Sequence, residues 1–303
     1  MNRKIALIVL ISLALTALFA QEKSFGMKVV SPGGAPALAL ASLAAENPGD
    51  FTYIAAETIA AEFSGKKADF IIAPVNAGAT LYKAKKSSYK LAAVVTWGNL
   101  HFASQRKNFD VKNISGAEIT LFGENTINSS VALSVLEKNK IMPKNVRYLA
   151  GAANTESLLL SDKDAIVLTA EPALSAAKMK NPRITSYALN DLSRKAGGFD
   201  GFAQAGLFVR AETAESRPDE VGRFLRLAAE SCAKCANDVA SVAKAAVALE
   251  ILPGEKVAAS AIPNCAIRFV SAKDARAQVE ATARIDLAQY GGEIPADDFY
   301  YAD

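Results

Sequence analysis

The chain has 303 residues, of which 34 are Lys or Arg, 31 are Asp or Glu, and 51% are hydrophobic. That length suits two modest lobes, each able to bury a core of its own. A net charge of only +3 at neutral pH gives no electrostatic reason to expect nucleic acid or an anionic membrane as partner. One histidine and three cysteines supply few ligands for a metal, and neither a metal nor a cofactor is expected.

Arg3 and Lys4 precede a run from Ile5 to Ala20 that is apolar apart from Ser12 and Thr16, and Gln21, Glu22 and Lys23 end it. The run is short for a membrane span, which needs about 20 residues, and it ends on a small residue suited to cleavage. It predicts a signal peptide over residues 1–20 and a periplasmic protein; an uncleaved anchor is the alternative. No Cys stands at the cleavage point, which argues against a bacterial lipoprotein.

From residue 27 the pattern alternates: strand 27–31, helix 35–46, strand 51–55, helix 57–63, strand 68–73, helix 76–82 and strand 91–96. Apolar runs such as Phe70-Ile71-Ile72-Ala73 fit strands covered by helices on both faces. After a polar stretch at 106–113 a second cycle follows, with strands at 118–122, 146–149, 165–168 and 185–189 and helices at 130–138, 156–160 and 172–179. A glycine-rich loop at 193–202 leads to a strand at 204–209, and from residue 214 the chain reads as helix with breaks at Pro253-Gly254 and Ile262-Pro263-Asn264. The expectation is an α/β protein of doubly wound pattern in two lobes. Residues 21–105 with 206–303 form the first lobe and 106–205 the second, with hinge crossings near 103–108 and 205–209.

In open α/β sheets ligands sit beyond the carboxyl ends of the strands. The residues there are Ser31, Gly33, Gly34 and Ala35; Asn76 and Ala77; Trp97, Gly98 and Asn99; Glu124, Asn125 and Thr126; and Glu171. Small residues, amides and hydroxyls dominate, a set suited to binding. The turn before Ala35 lets backbone approach a ligand and offers it helix N-terminal amides. Trp97 either stacks on a planar ligand or packs in the core. Glu124 and Glu171 either accept hydrogen bonds from a ligand or cap helices, and capping is expected of one of them. No Arg or Lys falls in these turns, which favours a neutral or cationic planar molecule over an oxyanion.

Catalytic patterns are poor. His101 is the sole histidine and no Gly-x-Ser-x-Gly turn exists, so a Ser-His-Asp system has no support. Cys232 and Cys235 have redox spacing, but they fall within a helical stretch and lack the helix N-terminus that activates a thiol. With Cys265 they form one disulfide and a free thiol, or three buried thiols. The basic run Lys83, Lys85, Lys86 and Lys90 reads as a solvated helix end.

The leader together with Val30-Ser-Pro-Gly-Gly-Ala-Pro-Ala37, Asp69-Phe-Ile-Ile-Ala-Pro-Val-Asn-Ala-Gly78, Val95-Thr-Trp-Gly98 and Leu168-Thr-Ala-Glu-Pro172 resembles the periplasmic substrate-binding proteins of ABC importers. The group is the one of type II fold that includes thiamine-precursor, alkanesulfonate, taurine and nitrate binding proteins. The resemblance implies a monomer, not an enzyme, that closes two lobes on a small organic molecule and presents it to a membrane permease. It also implies that the turn at Ser31 to Ala35, the turn at Asn76 and the segment at Glu171 approach the ligand. An exported enzyme on the same scaffold, a ligand-sensing input module, and a sulfonate or nitrate ligand are the alternatives. The Cys-rich motif of the fungal-type pyrimidine synthase in this family is absent.

Overall fold

The computed structural model describes residues 25–302; the expected signal peptide at 1–20 lies outside them. In chain order the elements begin with β1 (Val29–Pro32), α1 (Ala35–Ala39), α2 (Ala41–Glu46), β2 (Phe51–Ile54), α3 (Ile59–Gly65), β3 (Phe70–Pro74), α4 (Val75–Lys83) and β4 (Tyr89–Thr96). The middle of the chain contributes β5 (Leu100–Ser104), β6 (Glu118–Phe122), α5 (Ile127–Lys138), β7 (Asn145–Leu149), α6 (Ala152–Ser161), β8 (Ile166–Ala170), α7 (Ala173–Lys180), β9 (Thr185–Ala188) and α8 (Leu189–Lys195). The last part contributes β10 (Ala205–Arg210), α9 (Ala211–Ser216), α10 (Pro218–Asn237), α11 (Val239–Ala248), α12 (Glu255–Ala261), β11 (Ile267–Ser271) and α13 (Ala272–Ala283).

The strands form two sheets, one of order β11-β4-β10-β3-β1-β2 and one of order β7-β6-β8-β5-β9. In the first, β1 runs parallel to β2 and β3, and the returning strand β10 inserts antiparallel between β3 and β4. In the second, β6 is parallel to β7 and β8, and β5 is antiparallel to β8 and β9. The two-sheet α/β architecture agrees with the sequence expectation.

Strand pleat explains the continuous apolar runs. Alternate residues of β3 point to opposite faces, so Ile71 and Ala73 join one core while Phe70 and Ile72 join another. Helix α10 covers the second face with Val221, Phe224, Leu225, Ala228 and Cys232, at the three-and-four spacing of an amphipathic helix. Its Phe224 stacks on Phe70 with ring centroids 4.0 Å apart.

Some segments depart from the sequence reading. Leu100–Ser104 is a strand of the second sheet, so the chain changes sheets at residues 97–99 rather than at 103–108, and it returns before β10, ahead of the expected 205–209. A glycine at φ 84°, Gly98, turns it at the first crossing, and the following strand is too short to stand out as a run. Ile267–Ser271 is an edge strand within the region read as helix, where backbone pairing with β4 outweighs local pattern. Residues Leu189–Lys195 form a helix where a strand end and loop were expected. All three cysteines are buried free thiols, the second of the two arrangements considered. Among the described residues no helix is long and apolar enough to cross a membrane.

Candidate functional site

The turn after β1 ends in Gly34, which holds φ 79° and leads into α1, with Pro36 in the first turn. Left-handed backbone here needs glycine. Ser31 is buried and its hydroxyl donates to the Pro32 carbonyl at 2.9 Å, while Gly33 is exposed and Ala35 buried. Asn76 and Ala77 lie in the first turn of α4, and the buried Asn76 Oδ1 has no hydrogen-bond partner. Such an orphan acceptor is uncommon in a folded protein.

From the second sheet come two further turns. Glu124 and Asn125 are exposed, Asn125 at φ 55°, with its carbonyl accepting from Gln289 Nε2 at 2.7 Å. Thr126 begins α5; its hydroxyl donates to the Gly123 carbonyl at 2.7 Å and its amide donates to Ser129 Oγ at 3.3 Å. Glu171 is the carboxylate that caps. It is 4% exposed, and accepts from the Ser175 amide and hydroxyl, each at 3.0 Å, at the start of α7. Burial pushes its pKa up, and the Ser175 bonds pull the other way. Ser260 of α12 donates on to Ser175 Oγ at 3.3 Å, so helices from the two halves of the chain share this polar chain.

The turns of the two sheets meet. A Cβ on Gly34 would lie 3.9 Å from Pro172 Cδ, beside the cis Glu171–Pro172 bond. Three cavities, of about 540, 480 and 720 Å³, are lined by other residues than Ser31, Gly33, Gly34, Asn76, Glu124 or Glu171. The glycine turn of the first sheet thus lies against Pro172 of the second.

Trp97 is corrected from ligand platform to core residue. It is 1% exposed, its Nε1 donates to the Arg268 carbonyl at 3.0 Å, and the Arg268 guanidinium covers its ring at 4.4 Å from the centroid. A ring so enclosed offers no face for stacking. Gly98 fits beneath Phe202, where a Cβ would stand 2.7 Å from the ring, and Asn190 Nδ2 donates to the carbonyls of Trp97 and Gly98 at 3.0 and 2.9 Å.

Asn99 is buried at the centre of a network that the sequence did not reveal. Its carbonyl accepts from the Glu171 amide at 3.0 Å, and its side-chain amide donates to the Glu171 carbonyl. Gln204 Nε2 donates to Asn99 Oδ1 at 3.0 Å and to Asn128 Oδ1 of α5 at 3.4 Å. The Gln204 amide donates to the Thr96 carbonyl at 3.1 Å, and its carbonyl accepts from the Val75 amide at 3.0 Å. Gln204 therefore ties β4, α4, the sheet crossing and α5 together. The one sequence signal was an amide between a glycine-rich loop and an apolar strand.

His101 is buried with Nδ1 unpartnered; burial first, and then the charge of Lys178, lower its pKa to about 4. Cys265 is fully buried, and burial with the charge of Glu171 pushes its thiol well up. A thiol held protonated is a poor nucleophile. Burial also pushes Cys235 up to about 12. Among the described residues no group of three or more His, Cys, Asp or Glu is placed to hold a metal ion.

No family model and no curated protein matches the sequence. Solved structures do match its fold. An ABC transporter structure from Parabacteroides distasonis is 21% identical, with TM-score 0.79, covering 91% of this chain and 99% of its own. The periplasmic aliphatic sulphonate binding protein SsuA from Escherichia coli is 13% identical, with TM-score 0.67 and coverage of 91% and 92%. The alkanesulfonate-binding protein SsuA from Xanthomonas axonopodis pv. citri, bound to MOPS, is 13% identical, with TM-score 0.62 and coverage of 91% and 97%. The two sheets, crossed twice by the chain, define the class: this is the fold of the periplasmic binding proteins. Within that class it is the two-lobed arrangement of type II, shared with the sulfonate-binding structures.

Proposed function

We propose that this chain is the extracytoplasmic solute-binding component of an ABC importer. Two lobes, each built on one sheet and joined at residues 97–99 and 203–204, close on one small molecule and present it to a membrane permease. The observation that carries the reading is the meeting of Gly34 with Pro172, because it brings the glycine turn of one sheet against the capped turn of the other. Opening at the two crossings would separate these turns and expose Asn76 and the helix amides to a ligand. Ligand binding then shifts the population toward the closed form.

The ligand is a small organic molecule with donor groups. Asn76 Oδ1, buried without a partner, can only accept, and no Lys or Arg belongs to the strand-end turns. A planar vitamin precursor fits that chemistry; a sulfonate, which brings acceptors alone, is the second reading and rests on the likeness to the sulfonate-binding structures. The role is binding, not catalysis, and the protein acts as a periplasmic monomer. A thermal-shift screen of vitamins, their precursors, amino acids, sulfonates and nitrate tests this. One compound should raise the transition by several degrees, as tight native-state binding requires. Turnover of a compound, lost in the Glu124→Gln/Glu171→Gln double variant, would overturn the reading in favour of an exported enzyme.

A further inference from the structure

A cavity of about 540 Å³ opens between the end of α4 and the chain segment 290–299. On that helix it is lined by Ala79, Tyr82 and Lys83, about 4 to 10 Å along the axis from Asn76 at 1.5 Å per residue. Lys66, Lys83, Lys85, Lys86 and Lys90 all line it. Lys66 pairs with Glu212 at 3.4 Å and Lys83 with Glu293 at 3.3 Å. Lys85, Lys86 and Lys90 form no ion pair among the described residues.

The wall's two acids are Glu293 and Asp298, and Asp298 already accepts from the Tyr82 hydroxyl at 3.1 Å. The cavity therefore keeps a net positive charge. Its other side is apolar, with Tyr82 and Phe299 packed edge to face at 5.7 Å beside Ile294 and Pro295. Tyr290, also in the wall, is 1% exposed and its hydroxyl has no partner.

Lysines collect at helix C-termini because the carbonyl ends attract cations. That accounts for Lys66 and Lys83, which stand at the ends of α3 and α4. It covers Lys85 and Lys86 as well, whose amides close the end of α4 on the Tyr82 and Leu81 carbonyls at 2.9 and 3.0 Å; it does not cover Lys90 of β4, and five lysines around one space repel one another. Lys85 holds φ 54° as the left-handed residue that ends α4. A positive rim, an aromatic floor and an unmet phenol together describe a site for an anion with a ring.

We propose that this cavity is a second binding site, separate from the cleft, for a small organic anion. An aromatic or apolar body rests against Tyr82, Phe299 and Ile294, and a phosphate or similarly compact anionic group is held by Lys85, Lys86 and Lys90. The basic run is then a ligand-holding element of the protein and not only a solvated helix end.

Calorimetric titration of the protein with phenyl phosphate tests the site, with inorganic phosphate and phenol as comparisons. Phenyl phosphate should bind saturably at one per chain, more tightly than either comparison, and less tightly as salt is raised. The triple variant Lys85→Gln/Lys86→Gln/Lys90→Gln should bind it about tenfold more weakly. Lys85 and Lys86 are exposed and Lys90 is half-buried in β4, so circular dichroism checks that the triple variant keeps its fold; the three single variants report the same loss in parts. Tyr290→Phe should weaken binding without lowering the melting temperature, since it deletes a hydroxyl that has no partner in the protein. Asn76→Ala should leave phenyl phosphate binding unchanged. The proposal is overturned by absence of saturable binding, by unchanged affinity in the triple variant, or by a loss in Asn76→Ala, which would place the anion in the cleft.

Discussion

Gly34 and Pro172 belong to turns of different sheets, yet a Cβ on Gly34 would stand 3.9 Å from the proline Cδ. The distance is ordinary van der Waals contact, so a methyl group would fit. The backbone is what resists substitution, because Gly34 holds φ 79°. Gly34→Ala should therefore cost about 1–2 kcal/mol of stability, through strain and not through a clash. Urea denaturation reads this, and a neutral or stabilising substitution would mean that the turn is not left-handed.

Two buried groups make stability depend on pH in opposite directions. His101 falls from an ordinary 6.5 to about 4, so its contribution is present above pH 6.5 and is lost as pH falls toward 4. That loss amounts to roughly 3 kcal/mol. Glu171 is shifted upward from an ordinary 4.5, so its contribution is present below that value and is lost as pH rises through its folded pKa. His101→Phe should flatten the acid limb of the denaturation profile, and Glu171→Gln the limb above pH 4.5. Since the chain has one histidine, a single imidazole NMR titration checks the first point directly, and a midpoint near 6.5 would contradict the burial.

Trp97, the only tryptophan, should emit at short wavelength and resist iodide quenching, because it is 1% exposed. Trp97→Ala should cost about 3–5 kcal/mol of stability, the usual range for emptying a packed aromatic site. A variant of wild-type stability that bound cargo more weakly would instead return the ring to the ligand.

Gln204 and Asn99 should be energetically coupled. Removing the glutamine amide leaves the buried Asn99 Oδ1 without its donor, which costs about 1–3 kcal/mol. A double-mutant cycle with Gln204→Ala and Asn99→Ala should show non-additivity of about 0.5–3 kcal/mol. Additive effects would mean that the bond joining the two crossings has no net worth.

Much of this architecture is written locally. The runs Phe70 to Ala73 and Leu91 to Val95 read as covered strands because each needs apolar partners on both faces, and each has them. The turn at Gly34 was legible because left-handed backbone leaves a glycine signature. Strand β11 was not, since Ile267, Arg268 and Phe269 carry no helix-excluding pattern and become a strand only through pairing with β4. Trp97 shows the same limit at the level of one side chain: strand-end placement locates the backbone and leaves the direction of the ring to tertiary packing. Gln204 was missed because its partners Asn99 and Asn128 lie 105 and 76 residues away, and no local pattern marks such a node.

The central claim is that the chain carries a small molecule. Native mass spectrometry of the protein isolated from its own cells tests it most directly. The predicted result is one low-mass compound bound per chain, released on denaturation and able to raise the melting temperature when added back. A protein that is isolated empty, and that no compound of the screened classes stabilises, would contradict it.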